Sequence, residues 1–182
     1  LQDNYRSVQE ILDSAYRLIQ HNNPDRLEYQ DALNKLLRAQ KGKKLLDIAC
    51  GGGWLLKAAE QAGLTTYGLD ISDEAVKRAK SNTPNSELVA GDGENLPWPD
   101  NSFNYVTSLG SLEHYLNPEK GITEIRRVLA DDGTAIIMLP NSIAASTSEE
   151  WQAIERHGTK EEWRQLLEAN GLRVMKILRY NK

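Results

Sequence analysis

From residue 44 onward, short runs of leucine, β-branched and aromatic residues alternate with stretches whose apolar positions recur at helical spacing. The runs at 45–49 (LLDIA), 65–71 (TTYGLDI), 87–90 (ELVA), 103–109 (FNYVTSL) and 134–139 (TAIIML) predict five buried parallel strands. The helices predicted between them have legible ends. One runs over 54–62 and is closed by Gly63. Ser72 caps a second, with Asp73 and Glu74 in its first turn and Lys77, Arg78 and Lys80 toward its end, as the helix dipole favours. Asn117 followed by Pro118 starts a third, on which Ile122, Ile125 and Leu129 form one stripe. Thr159 and Glu162 have capping-box spacing ahead of Trp163, Leu166 and Leu167, and Gly171 after Asn170 is a stop. The last run, LRVMKILRYNK, predicts a sixth strand. Ahead of this alternation, Val8, Ile11, Leu12, Ala15, Leu18 and Ile19 recur at helical spacing, and Asn23 with Pro24 opens a second helix through Leu33, Leu36 and Leu37. The pattern divides the chain into a helical cap over 1–42 and an α/β core over 43–182, a single domain overall.

Composition narrows the class. The chain has 182 residues, the length of one domain, enough to bury roughly 70% of its unfolded surface. Hydrophobic residues at 40% and charged ones at 26% are ordinary globular values. Twenty-two Lys and Arg against 26 Asp and Glu give 22 − 26 = −4, so no general field draws nucleic acid or an anionic membrane. The lone Cys50 forms no internal disulfide, and the longest apolar run, near 135–139, is far too short to span a bilayer. A cytoplasmic protein is expected. The first residues, LQDNYRSV, carry neither an initiator Met nor a signal-peptide pattern, which predicts a trimmed chain.

The candidate chemistry gathers at strand ends. Cys50 to Gly53 is the turn between the first strand and the first helix, at the sheet edge where open α/β folds bind ligands. Three consecutive glycines suit a tight turn needing positive φ as well as backbone that approaches a cofactor. Two carboxylates favour the second reading. Asp70 ends the second strand, placed to accept from both hydroxyls of a ribose, and Asp92 follows the third, placed to accept from an adenine amine.

With LLDIACGGG, YGLDIS, GDGENLPWPDNSFNYV and LGSLEHYLNPEKGITEIRRVLADDGTAIIMLPN in this order, the sequence resembles the class I S-adenosylmethionine-dependent methyltransferases, in particular their small-molecule "type 11" group. The resemblance runs from about residue 43 to the end. It implies a Rossmann-like, doubly wound, mostly parallel sheet with helices on both faces. An antiparallel seventh strand has no sequence left to form it. It further implies that Asp47 and the backbone of Ala49, Gly51 and Gly53 surround the methionine part of S-adenosyl-L-methionine, and that Asp70 holds the ribose. Ile71 would pack on adenine, Asp92 with Gly93 would read its edge, and the backbone at Ser108 and Leu109 would close the other side. The implied activity is methyl transfer to a small-molecule acceptor by in-line displacement, with no nucleic acid or membrane as partner. The alternatives are a non-catalytic S-adenosylmethionine-binding partner subunit and a nicotinamide dehydrogenase. Against the latter, Trp54 and Leu56 break the G-x-G-x-x-G spacing.

Departures from the pattern carry their own expectations. Ala49 stands where glycine is usual, which predicts a backbone that does not need positive φ there. Asn104 replaces a common acid and is assigned no role. His114, in LEHY after the fourth strand, and His157, before the last helix, are the candidate catalytic bases, against readings in which positioning suffices and His157 is simply solvated. His21 reads as a surface residue and Cys50 as a small packed one. Related quinone and RNA methyltransferases ligate a metal around this same Glu-His pair. Glu113 and His114 remain here, but Gly110 replaces a third ligand, so no metal is expected. Trp54 either shapes the methionyl pocket or packs on the sheet, and Trp98 between two prolines is a rigid turn. Trp151 and Trp163 are candidates for the acceptor site, Tyr5 and Tyr16 for a capping helix, and residues 141–158 for a lid in which Glu155, Arg156 and His157 orient the acceptor.

Overall fold

The computed structural model describes residues 38–140 and 156–178. The elements are β1 (Lys44–Ile48), α1 (Trp54–Gln61), β2 (Thr65–Asp70), α2 (Asp73–Asn82), β3 (Glu87–Ala90), β4 (Phe103–Leu109), a short 3₁₀ turn (Leu112–His114), α3 (Pro118–Val128), β5 (Leu129–Met138) and α4 (Lys160–Ala169). The two N-terminal helical patterns, Tyr5, Tyr16, His21, Trp151, Glu155 and most of the expected lid lie outside the described residues.

All five strands pair in parallel in the order β3-β2-β1-β4-β5. Because successive side chains of a strand point to opposite faces, the apolar run of β1 serves two cores. Leu45 joins Leu55, Leu56 and Ala59 of α1 and Ala79 of α2. Leu46 and Ile48 join Leu69, Phe103 and Val106 with Ile125 and Val128 of α3. Helices therefore cover both faces, as the sequence implies. Gly68 lets α1 pack onto β2, since a Cβ there would lie 2.7 Å from the tips of Leu56 and Leu88. Three predicted caps form: Ser72 Oγ accepts from the Ala75 N–H, Asn117 from the Lys120 N–H, and Thr159 with Glu162 makes the reciprocal capping box. Gly63 and Gly171 take the left-handed conformation that ends a helix.

Two strand expectations are corrected. β5 starts at Leu129, not Thr134, because the chain leaves α3 straight into a pairing of Leu129 with Phe103, with a register shift before Tyr105 meets Thr134. The aspartates and glycine of this bulge look like a turn in the sequence. The predicted sixth strand is absent among the described residues: 172–178 forms no strand, and Met175 and Ile177 are exposed. Alternating apolar residues specify which face a strand would present, but pairing also requires a neighbouring edge in register.

Candidate cofactor and active site

The turn after β1 is built on positive φ at Ala49 (58°), Gly51 (55°) and Gly53 (76°). The expectation for Ala49 is therefore corrected: alanine occupies the left-handed region, and its outward position spares it a steric clash but not the local backbone cost. Gly53 is the N-cap of α1 and offers no side-chain cap, whereas α2, α3 and α4 each have one. The positive end of the α1 dipole thus lies at the turn with no side-chain cap from its N-cap residue. A Cβ at Gly53 would crowd Ala79 and Thr83 at 3.1 and 3.2 Å, so glycine is needed here for packing as well as for φ. Trp54 turns its indole edge toward Gly52, and the Lys57 ammonium lies 5.4 Å from its ring centre. It covers the turn and takes no place in the buried core. Cys50 is buried, and burial holds its thiol neutral by pushing its pKa up, in keeping with a packed residue.

Two carboxylates converge on this turn. Asp70, 6% exposed at the end of β2, accepts from the Gly51 N–H at 2.8 Å and the Ser72 N–H at 2.9 Å. Asp47, on β1, lies beside Thr107 of β4 in register, and the Thr107 hydroxyl donates to it at 2.6 Å. Burial, together with the charge of Asp70 and against the pull of Thr107, pushes the Asp47 carboxyl up to about 7. The sequence shows the acid but not this partner, because identifying Thr107 requires the register of β1 on β4. Ile71 is half-buried next to Asp70, and Ser108 and Leu109 end β4 across the sheet.

The loop after β3 forms a second wall. Asp92 accepts from the Glu94 N–H at 2.8 Å, and Glu94, 4% exposed, accepts from the Asn117 N–H at 2.9 Å, tying the loop to the start of α3. Gly93 is buried against Tyr115, whose ring also packs on Gly121. Burial pushes the pKa of the Tyr115 hydroxyl up, against the pull of neighbouring Ser111 and with the charges of Asp92, Glu94 and Asp70 adding to the rise. Glu94, Ser111 and Tyr115 were not legible as site residues, since only the fold reveals that the β3 loop and the β4–α3 turn touch.

The two histidines belong to the β4–α3 turn and its neighbour. His114 ends the 3₁₀ turn, with Nε2 3.9 Å from Oε1 of the buried Glu113. The Arg156 N–H donates to the Glu113 carbonyl at 2.8 Å and its guanidinium to the Leu116 carbonyl at 3.1 Å, bringing the backbone beside His157 onto the same turn. His157 itself is exposed. Trp163 is buried on the inner face of α4 with its Nε1–H donating to Pro140, a packing role. Asn104 accepts from the Lys44 N–H at 3.1 Å and fastens β4 to the start of β1.

The comparisons with known proteins agree with this geometry. A demethylmenaquinone methyltransferase of Listeria welshimeri is 36% identical over 107 residues, covering 54% of this chain and 45% of that one. The chain spans about half the length of the curated relatives it matches. Among solved structures, a chain of the complex between the Haloferax volcanii Trm112 methyltransferase activator and a methyltransferase superimposes with a TM-score of 0.80 at 23% identity, over 93% of this chain and 78% of that one. A SAM-dependent methyltransferase of Aquifex aeolicus gives 0.70 at 22% identity, over 90% of each. Both share the fold. Residues 46–137, just over half of the sequence, match the methyltransferase domain family, and they contain the glycine turn, both buried aspartates and the β3 loop: the chain belongs to the class I S-adenosylmethionine-dependent methyltransferases.

Proposed function

We propose that the protein binds S-adenosyl-L-methionine at the carboxyl edge of the sheet and transfers its methyl group to a small-molecule acceptor. The observation that carries this reading is the placement of Asp70, a carboxylate held by the Gly51 and Ser72 N–H groups beside the uncapped start of α1. A carboxylate so oriented suits the two hydroxyls of a ribose, and the open helix N-terminus suits the ligand's own carboxylate. Asp47 complements the ammonium, Ile71 supplies an apolar surface for adenine, and Asp92 with Gly93 meets its polar edge. Ser108 and Leu109 bound the opposite side.

When bound, S-adenosylmethionine would supply a sulfonium methyl whose carbon the acceptor attacks in line, the C–S bond breaking as S-adenosylhomocysteine leaves. The chain's own contribution is positioning, and near-attack alignment is worth about 7 to 11 kcal/mol in favourable cases. His114, backed by Glu113, is proposed to accept the acceptor's proton, and His157 to orient the acceptor from the neighbouring segment. Demethylmenaquinone, named in the curated relatives, is the first acceptor to assay.

The test is transfer of labelled methyl from S-adenosylmethionine to demethylmenaquinone, and then to a fractionated metabolite pool. Label in an acceptor, reduced about tenfold or more in kcat/KM by His114→Ala with cofactor affinity kept, supports the reading. Saturable cofactor binding with no acceptor labelled in any fraction would instead favour the non-catalytic partner subunit.

A further inference from the structure

One side chain, that of Tyr115, is set between two glycines. A Cβ built at Gly93 would overlap the Tyr115 hydroxyl, and one at Gly121 would lie 2.5 Å from both Cδ2 and Cε2 of the same ring. Real Cβ atoms do not come this close to ring carbons, so the glycine of the β3 loop and the glycine of α3 together make the slot that holds the ring. The hydroxyl continues the slot into a polar chain. Ser111 lies beside it, and Ser111 Oγ is 2.7 Å from Ser108 Oγ at the end of β4. Ser108 and Ser111 are 0% and 5% exposed, so both serines are buried, while Tyr115 is half-buried. The polar chain links the two walls of the cleft.

We infer that Tyr115 is a positioning residue for adenine recognition: wedged between Gly93 and Gly121, it sets the height of the Asp92–Gly93 backbone against the end of β4. The inference rests on the proposed cofactor site and deepens it. The other ties on this loop act elsewhere along it. Glu94 fixes the Asn117 N–H, and Glu124 and Arg127 fix Leu96 and Trp98. Only Tyr115 among these bears on Gly93 itself, beside the carboxylate placed to read the adenine amine. If the wedge moves, the loop keeps its attachment to α3 but loses the spacing that discriminates an amino from an oxo group at that edge. A bulkier residue at 93 should act like a displaced wedge, and a smaller one at 115 should make room for it.

The experiment uses the full chain and measures calorimetric affinity for S-adenosylhomocysteine and for S-inosylhomocysteine, in which an oxo group replaces the adenine amine. The variants are Gly93→Ala, Tyr115→Leu, their double, and Tyr115→Phe, each with a melting curve. Gly93→Ala is expected to weaken S-adenosylhomocysteine about tenfold, and the double variant to recover to within about threefold of Tyr115→Leu alone, the non-additivity of a direct contact. Tyr115→Phe, which keeps the ring and removes the hydroxyl that faces Gly93, is expected to reduce the preference for the adenosyl over the inosyl compound by about fivefold. The assignment is overturned by a double variant no better than Gly93→Ala, or by Tyr115→Phe lowering only the melting temperature with the preference unchanged. A wild-type chain that binds neither compound removes the cofactor site itself, an outcome distinct from binding without rescue.

Discussion

Ala49 pays an avoidable local cost, and this makes it the simplest residue at which to test the site's backbone. An L-residue in the left-handed region is disfavoured by about 1–2 kcal/mol, part of which glycine returns through its freer unfolded chain. Ala49→Gly is therefore expected to stabilise the protein by about 0.5–1 kcal/mol in a urea titration. Asp47 has the opposite character, a buried carboxylate whose cost the proposed ammonium contact would offset. Its carboxyl is raised from 3.8 to about 7, so between these values the folded chain holds a proton that the unfolded chain has released. Stability from this group is fully present below about pH 4 and falls as pH rises to about 7. Asp47→Asn, which can still accept from Thr107, is expected to abolish that slope and to stabilise the ligand-free protein above pH 7 by something on the order of 3 kcal/mol. An ammonium beside Asp47 favours the ionised form. Affinity for S-adenosylhomocysteine should thus rise with pH toward about 7 in the wild type, with proton release seen by titrating in buffers of different ionisation enthalpy, and stay flat in Asp47→Asn.

Among the elements, α3 organises the cleft more than any strand does. Arg127 on its last turn donates to both oxygens of Glu124 at 2.7 Å, to the carbonyls of Trp98 and Leu96 at 2.7 and 3.0 Å, and to Asp100 at 3.0 Å. The bond from Arg127 in turn holds the Glu124 carboxyl below its usual range while Glu124 accepts from the Leu96 N–H. Lysine has the charge but not the planar fork, so Arg127→Lys is expected to cost about 2 kcal/mol of stability by denaturant unfolding. Loosening of the 96–100 segment should appear as faster amide exchange at Leu96. The start of α3 was legible in Asn117-Pro118 because caps are local chemistry, and the same holds for Ser72 and for Thr159 with Glu162. The bulge of β5, the lack of a strand over the described residues 172–178, the Thr107 partner of Asp47 and the Tyr115 wedge were not legible. Each depends on which distant segment lies alongside, and a single sequence without register does not contain that. Ala49 was misread for a different reason: a residue's identity limits φ by energy, and one or two kcal/mol is a cost that packing around a turn can override.

At the scale of the whole molecule, sheet order converts five separate stretches of sequence into one edge. The turn after β1, the acid after β2, the loop after β3 and the hydroxyls after β4 are brought to the same side because all four strands run parallel. Helices on both faces leave this edge as the accessible place for a ligand, which is why motifs far apart in the chain describe a single site. No helix of the described residues is long and apolar enough to cross a membrane. The central claim is that Asp70, oriented by Gly51 and Ser72, holds the ribose of S-adenosylmethionine. It is tested most directly by titrating S-adenosylhomocysteine calorimetrically into the wild-type chain and into Asp70→Asn, which keeps the size of the side chain and one acceptor oxygen. Saturable one-to-one binding by the wild type, weakened at least about tenfold or 1.4 kcal/mol in a variant that still unfolds cooperatively, is the predicted result. Equal affinity in the two proteins, or no binding by the wild type, would contradict the account.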